Sequence, residues 1–495
     1  MRTVRVKILD EANAAILGLY DSHLEWFFNH YGKRTENYFF QKKYKLGLWD
    51  GQIRFFKKTG KTYVALLPEI IKQLQALGYK LKLEDHREYG VDVDLINENH
   101  FAHIPHPDSG DPFLLRYYQV EGTNALIKNG GGICIAGTGA GKTLMNAVLV
   151  DQYGKQGMKS ITIVPSTDLI LQTKNDFIMW GMDTGEYSGD CKDTTHQHTV
   201  STWQALQYNP MVMNQFDVVV VDEAHGLKGD VLAKLLNEHG KNIKYRFGLT
   251  GTLPKGECDA MSVRVAVGDV QYEIPAHQLM DEGYLSKMKI TMFQLEENFK
   301  EQYEEMKQHN PLNAKMTYRQ FKDSFSNEWS EEKRYLQSYK PRMEWIAECI
   351  TALSQRKQGN VLCLITGIPF GKKLTKMIPG AIFVHGKDKN KVRKEIYDLF
   401  EHHDNLIVIA SIQIASTGLN IPRIFNLVFV DVGKSYIRVI QSIGRGLRKA
   451  IDKAFVNVTD ICSDLKYSRA HTTKRVNYYK ESHYNYKKHI VKYDE

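Results

Sequence analysis

Residues 136–143 read Ala136-Gly137-Thr138-Gly139-Ala140-Gly141-Lys142-Thr143, directly after the apolar run Ile133-Cys134-Ile135. Glycines here let backbone N–H groups turn inward around an anion, with a helix N-terminus behind them. Thr138, Gly139, Ala140 and Gly141 would form such a cradle. Lys142 would reach the β- and γ-phosphates of a nucleotide, and the Thr143 hydroxyl would hold Mg²⁺. Ala136 stands where the pattern ordinarily begins with glycine. Alone, the stretch reads equally well as a turn before an amphipathic helix. Four later motifs, in order along the chain, decide between the two: Asp222-Glu223-Ala224-His225, then Thr250-Gly251-Thr252, Ser416-Thr417-Gly418, and Gln441-Ser442-Ile443-Gly444-Arg445-Gly446-Leu447-Arg448.

Asp222 ends the run Val218-Val219-Val220-Val221, which places it at the carboxyl end of a buried strand, where α/β sheets bind ligands. There it can hold Mg²⁺, and Glu223 is the candidate general base for an attacking water. Arg445 and Arg448 are spaced i, i+3, so on a helix they share a face. Cationic groups at a γ-phosphate stabilise transition-state charge. By themselves they would read as surface arginines; Gln441 and Gly444 beside them, downstream of the phosphate cradle, outweigh that reading. In Leu115-Arg116-Tyr117-Tyr118-Gln119, the Gln119 amide can donate and accept, as an adenine edge requires, although an ordinary polar helix residue would look the same. His225, beside the acidic pair, is placed to couple the nucleotide site to elements facing a nucleic acid. The ordered set reads as a nucleic-acid motor.

At 495 residues, with 42% apolar and 25% charged content, the chain suits a multi-domain globular protein. No run approaches the length of a membrane span, and Met1-Arg2-Thr3-Val4-Arg5-Val6-Lys7 alternates like a first strand, unlike a secretory signal. Six cysteines without a Cys-x-x-Cys pair suggest reduced, buried thiols and no structural zinc. A net charge of +9 suits a polyanion partner without proving one. Residues 1–100 read as a small α+β unit, with a strand at 3–9, a helix around 11–30 and a helix near 69–77, followed by a turn-forming linker at 103–112. Short apolar runs at 133–136, 160–164 and 217–221, and again at 361–365, 381–384, 406–410, 425–430 and 454–458, predict two parallel-sheet α/β domains over 113–285 and 343–465. Between them 286–342 reads as a charged connector, and 466–495 as a basic, tyrosine-rich tail.

Two segments carry the composition of strand binding, in which phosphate neutralisation is combined with base stacking. From Tyr31 to Tyr63, Lys42, Lys43, Lys45, Arg54 and other basic residues are interleaved with aromatics including Trp49. The tail interleaves lysines and arginines with tyrosines. A twisted sheet with a basic outer face, or a solvated helix, would give the same patterns, and both readings stay open.

As a set, these motifs resemble those of the superfamily 2 helicases and translocases. Phe40-Gln41-Lys42-Lys43-Tyr44-Lys45-Leu46-Gly47-Leu48-Trp49-Asp50-Gly51-Gln52-Ile53-Arg54 is similar to the same region of the bacteriophage UvsW-type helicases. The resemblance implies two tandem RecA-like parallel-sheet domains behind a small α+β DNA-binding domain, with ATP and Mg²⁺ as cofactors. It implies arginine fingers at Arg445 and Arg448 and nucleotide contacts at Arg116, Gln119, Gly418 and Gln441. Nucleic-acid contacts are implied at Pro165, Thr202 and Thr417, and a link from nucleotide state to movement at Thr250 and Thr252. The implied activity is ATP-dependent unwinding of, or translocation on, branched DNA in replication, recombination and repair. The expected partners are DNA and proteins of those processes, with no membrane, a monomeric state and a location in the cytoplasm of an infected host. The core motifs alone leave an RNA helicase, or a duplex translocase that does not part strands, as alternatives. A restriction motor would call for a nuclease signature, and a non-hydrolysing scaffold would not keep every catalytic role filled.

Overall fold

The computed structural model describes residues 2–493 except 89–91, 107–108, 227–229, 255, 310–315, 357–358, 387, 389–394, 397, 401, 413–422 and 434–454. The chain divides into two compact units: Met1–Ala136 with Gly141–Ile274, and Pro275–Glu495 with Gly137–Ala140.

The first strands are β1 (Thr3–Ile8), β2 (Asn13–Leu17), β3 (Gly32–Arg34), β4 (Gln52–Arg54), β5 (Lys61–Tyr63) and β6 (Lys80–Glu84). Their sheet runs β5-β2-β1-β6, with β3 and β4 as a separate antiparallel pair. In β1 the valines and Ile8 are buried and the intervening Thr3, Arg5 and Lys7 exposed, the alternation of a one-faced sheet. The helix expected over 11–30 is shorter, Asp21–His30, because Asn13–Leu17 pairs antiparallel with β1. Gly18, at φ +94°, breaks the chain between strand and helix in a conformation only glycine adopts readily. The core of this sheet, with Phe27, Phe56 and Ile70, also takes in Cys258 and Val265 from the helix Glu257–Val267. Small domain and following sheet therefore share one apolar core. Arg264 to Glu69, at 2.7 Å, reinforces the junction.

Next come β7 (Gly131–Ala136), β8 (Ser160–Val164), β9 (Thr184–Tyr187), β10 (His198–Thr202), β11 (Val218–Asp222), β12 (Tyr245–Thr250) and β13 (Val270–Ile274). They form one parallel sheet in the order β13-β7-β12-β11-β8-β10-β9. Every residue of β8, β10, β11 and β12 is buried, as expected for strands covered on both faces.

The second unit repeats the plan with β14 (Lys287–Leu295), β15 (Val361–Ile365), β16 (Ile382–Val384), β17 (Ile407–Ser411), β18 (Asn426–Val430), β19 (Phe455–Ser463) and β20 (Tyr486–Val491). The order is β16-β17-β15-β18-β19-β14-β20, again parallel. These are the two tandem RecA-like sheets that the motif set implies.

Two stretches differ from expectation. The connector read over 286–342 begins with β14 and continues in short helices, and the tail read over 466–495 folds as the helix Lys466–Glu481 followed by β20. In Lys287-Met288-Lys289-Ile290-Thr291-Met292 only Ile290 and Met292 are buried, so the lysines hide the strand from a composition-based reading. β20 lies at the sheet edge with Lys487, Lys488, His489 and Ile490 exposed, and its register against β14 places it there.

A buried ionic network fastens these additions. Arg342, fully buried, donates from Nε to Glu297 Oε1 at 3.1 Å and from Nη2 to Asp431 Oδ1 at 2.8 Å. The Tyr493 hydroxyl donates to the same Glu297 carboxylate. From the tail helix, Arg475 donates to Asp460 Oδ2 at 2.8 Å and to the Val432 carbonyl at 2.8 Å. Lys322 donates to Asp464 Oδ2 at 2.5 Å. Burial pushes the Glu297 and Asp431 carboxyls above their ordinary range, and the Arg342 charge only partly offsets this.

All six cysteines are free thiols. Burial pushes Cys134 up to about 12 and Cys462 up to about 11, which keeps both protonated and unreactive. Among the described residues no helix is long and apolar enough to cross a membrane.

Candidate functional site

The site lies along the carboxyl edge of the first parallel sheet. β7 ends at Ala136, β11 at Asp222 and β12 at Thr250, and β12 runs between the other two. Neighbouring parallel strands bring their carboxyl ends to one edge, so residues far apart in sequence converge there.

The cradle turns through Gly139 at φ +89° and Gly141 at φ +85°, then enters the helix Lys142–Gly154. A Cβ on Gly141 would stand 2.6 Å from the Gln119 Nε2, the end of a side chain that could give way, so it is the positive φ that calls for glycine here. Positive-φ turns at a helix N-terminus present N–H groups to an anion, which fits a nucleotide phosphate. Lys142 is buried, its Nζ 3.4 Å from the Ala136 carbonyl and 3.7 Å from Glu223 Oε1. Thr143, in the first turn, is partly exposed.

Glu223 has φ +52°, a left-handed backbone that costs a non-glycine residue free energy. Its N–H donates to Asp222 Oδ1 at 3.0 Å, which steadies the turn that swings the glutamate towards Lys142. His225 Nδ1 lies 3.3 Å from Glu223 Oε2 and 2.9 Å from Thr250 Oγ1. The fully buried Thr250 hydroxyl donates to the Thr252 carbonyl at 2.8 Å. Its proton is thus committed, and the proton on the His225 contact must come from Nδ1. The chain Lys142, Glu223, His225, Thr250, Thr252 is one continuous polar path.

Gln119 is buried, and its Oε1 accepts the Arg116 N–H at 2.9 Å in a capping box at the start of the helix Tyr117–Asn129. The Arg116 guanidinium donates to the Tyr118 hydroxyl at 2.9 Å. Gln119 therefore stands against the cradle, with its carbonyl engaged by its own helix.

The expected nucleic-acid contacts divide. Pro165 follows β8 and is exposed, and Lys42, Lys43 and Lys45 are exposed. Thr202 is buried, and its hydroxyl caps the helix Trp203–Tyr208 by accepting the Ala205 N–H at 3.4 Å, so it faces its own helix. Trp49 donates to the Gln52 carbonyl at 2.8 Å. Arg54 pairs with Asp50 at 2.5 Å and stacks 4.6 Å over Phe28. Both residues brace the turn that follows the helix Lys42–Lys45. Thr417, Gly418, Gln441, Arg445 and Arg448 lie outside the described residues. Sequence reading missed the buried network around Arg342, because its acids and bases are scattered from Glu297 to Arg475.

Two family models match the chain: "Type III restriction enzyme, res subunit" over residues 112–255, and "Helicase conserved C-terminal domain" over 342–450. The "ATP-dependent DNA helicase uvsW" of Enterobacteria phage T4 is 24% identical over 465 residues, covering 89% of this chain and 87% of the relative. The "DNA 3'-5' translocase XPB2" of Sulfurisphaera tokodaii is 23% identical over 427 residues, 81% of this chain and 93% of that one. Among solved structures, Saccharomyces cerevisiae Dbp5 bound to RNA and ADP BeF3 shares the fold at a TM-score of 0.52 and 14% identity, covering 77% of this chain and 91% of that chain.

Proposed function

We infer that this chain, an ATP-dependent DNA helicase of superfamily 2 similar to the UvsW type, works on branched DNA such as replication forks, Holliday junctions or R-loops. Its place would be in phage-type replication, recombination and repair, in the cytoplasm of an infected host. The convergence of Lys142, Glu223, His225 and Thr250 on one sheet edge carries the reading. The choice of branched DNA is favoured by the small N-terminal domain with its exposed lysines, and by the likeness to the T4 helicase along most of both chains.

In this mechanism the cradle N–H groups and Lys142 orient the phosphates of ATP. Glu223 accepts the proton of the attacking water. Thr143 and Asp222 would hold Mg²⁺, which neutralises phosphate charge when bound. Arg445 and Arg448 stabilise the charge that develops on the γ-phosphate. Residues 1–100 form the DNA-binding domain, and 113–285 and 343–465 are the motor domains. The stretches 286–342 and 466–495 complete the second of these. Grip on DNA is mainly through the backbone, so sequence preference is weak.

His225 and Thr250 would carry the nucleotide state to the DNA-facing elements. His225→Ala is expected to lower DNA-stimulated ATP turnover about fivefold more than the DNA-free rate, the scale of a modest coupling energy. Equal losses at both would show that the pair carries no signal.

The function itself is tested by steady-state ATP turnover with no nucleic acid, single-stranded DNA, duplex, a four-way junction and matched RNA. Highest turnover with the junction is expected. Preference for RNA would overturn the substrate and keep the motor. Equal stimulation by linear duplex would favour a translocase that tracks DNA without preference for branches.

A further inference from the structure

In a globular domain large apolar side chains are gathered inward, but the segment from Asn37 to Trp49 turns four of them out. Phe39 is 48% exposed, Phe40 68%, Leu46 61% and Leu48 76%. The turn that holds them is internally braced. Phe40 N–H donates to the Asn37 carbonyl, Leu46 N–H to Lys42 and Leu48 N–H to Lys43, at 3.0, 3.0 and 2.9 Å. Tyr38 and Tyr44 meet edge to face at 4.7 Å, and Gly51, at φ +81°, lies so close under Tyr38 that a Cβ would fall 2.7 Å from its ring. The scaffold consumes Tyr38, Tyr44 and Trp49 and leaves the other four apolar residues as a fixed tip.

The surroundings say what would cover such a tip. Between Glu36 and Asp50 there is no carboxylate, while Lys42, Lys43 and Lys45 are exposed among the apolar residues. A polyanion with apolar faces matches both features, and an unstacked base step of DNA offers phosphates and base faces together.

We propose that Phe39, Phe40, Leu46 and Leu48 form a wedge that seats against the first base pair of a DNA junction, with Lys42, Lys43 and Lys45 on the flanking phosphates. The wedge deepens the branched-DNA reading and rests on it. Apolar side chains inserted at a step unstack it, and each lost stacking contact is replaced by one with the wedge. The motor then needs only to draw the duplex against a fixed edge.

The test uses the full-length protein and a forked DNA carrying 2-aminopurine at the first paired position of the junction, or several pairs inside the duplex. Binding of the wild type is expected to raise fluorescence at the junction position alone. In Phe40→Ser/Leu48→Ser that rise is expected to vanish, and strands separated per ATP hydrolysed to fall about tenfold, the equivalent of one lost stacking contact. Phe40→Leu/Leu48→Met is expected to retain both. A serine variant that keeps the junction signal and the yield overturns the wedge, and is the result expected if the tip instead docks a protein. A wild type stimulated by branched DNA but lacking the junction signal overturns the wedge alone. A wild type with no preference for branched DNA overturns the wedge and the substrate reading together.

Discussion

Lys142→Ala is expected to lower ATP turnover by at least roughly 10²-fold, the scale for removing one preorganised group that stabilises transition-state charge. Binding of single-stranded DNA is expected to stay near the wild-type level. Lys142 opens the helix Lys142–Gly154 and is buried, with its ammonium 3.7 Å from Glu223. Its loss would leave the helix N-terminus and the backbone N–H groups of the glycine turn to meet a phosphate. Phosphate release measured under saturating DNA, beside a gel-shift of the same preparation, separates the two effects. Turnover at the wild-type rate would remove the central assignment of the site. Loss of turnover and DNA binding together would mean that the fold, and not the chemistry, had been damaged.

The largest stability effect is expected at Arg342, whose ion-pair partners among the described residues, Glu297 and Asp431, are not candidate site residues. Removing one member of a buried ion pair leaves its partners charged and unpaired, which typically costs about 3–5 kcal/mol. Arg342→Ala strands both Glu297 and Asp431, each essentially inaccessible to solvent. A drop in melting temperature of roughly 6–20 °C is expected for a domain of this size. Calorimetry of the full-length variant would measure it, and an unchanged melt would show the network to be energetically idle.

The pH dependence has a defined sign. The carboxyls of Glu297 and Asp431 already bind protons more tightly than in the unfolded chain. A group whose folded pKa is raised contributes stability at low pH that is lost as pH rises through the folded value. Without Arg342 the shift grows, so the variant should lose more stability than the wild type as pH rises above the ordinary carboxylate range. Glu297→Gln/Asp431→Asn in the same background is expected to flatten that dependence and recover part of the melt.

Much of the geometry of the candidate nucleotide site was legible because its parts obey local rules. Gly139 and Gly141 adopt the positive φ that only a glycine-rich loop supplies, and Asp222 ends a strand whose burial on both faces was written in four consecutive valines. Local rules said nothing about partners. Thr202, read as a nucleic-acid contact, caps a helix, and Arg54, read within a strand-binding segment, pairs with Asp50. In both cases a nearby backbone N–H or carboxylate competes for the same side chain, and a residue string does not show which partner wins.

The sequence by itself determined the two parallel sheets, the order of the motifs along them and the cradle at the end of β7. Apolar runs of strand length and glycines at strained turns are properties of a few adjacent residues, and nothing distant can erase them. Only the tertiary structure decided that Lys287–Leu295 and Tyr486–Val491 complete the second sheet, that Arg342 is a buried cation between two acids, and that four apolar residues from Phe39 to Leu48 face solvent. Each of these depends on which segment packs beside which. Strand pairing and ion pairing are settled by neighbours far away in sequence, and exposure by what the rest of the chain leaves uncovered.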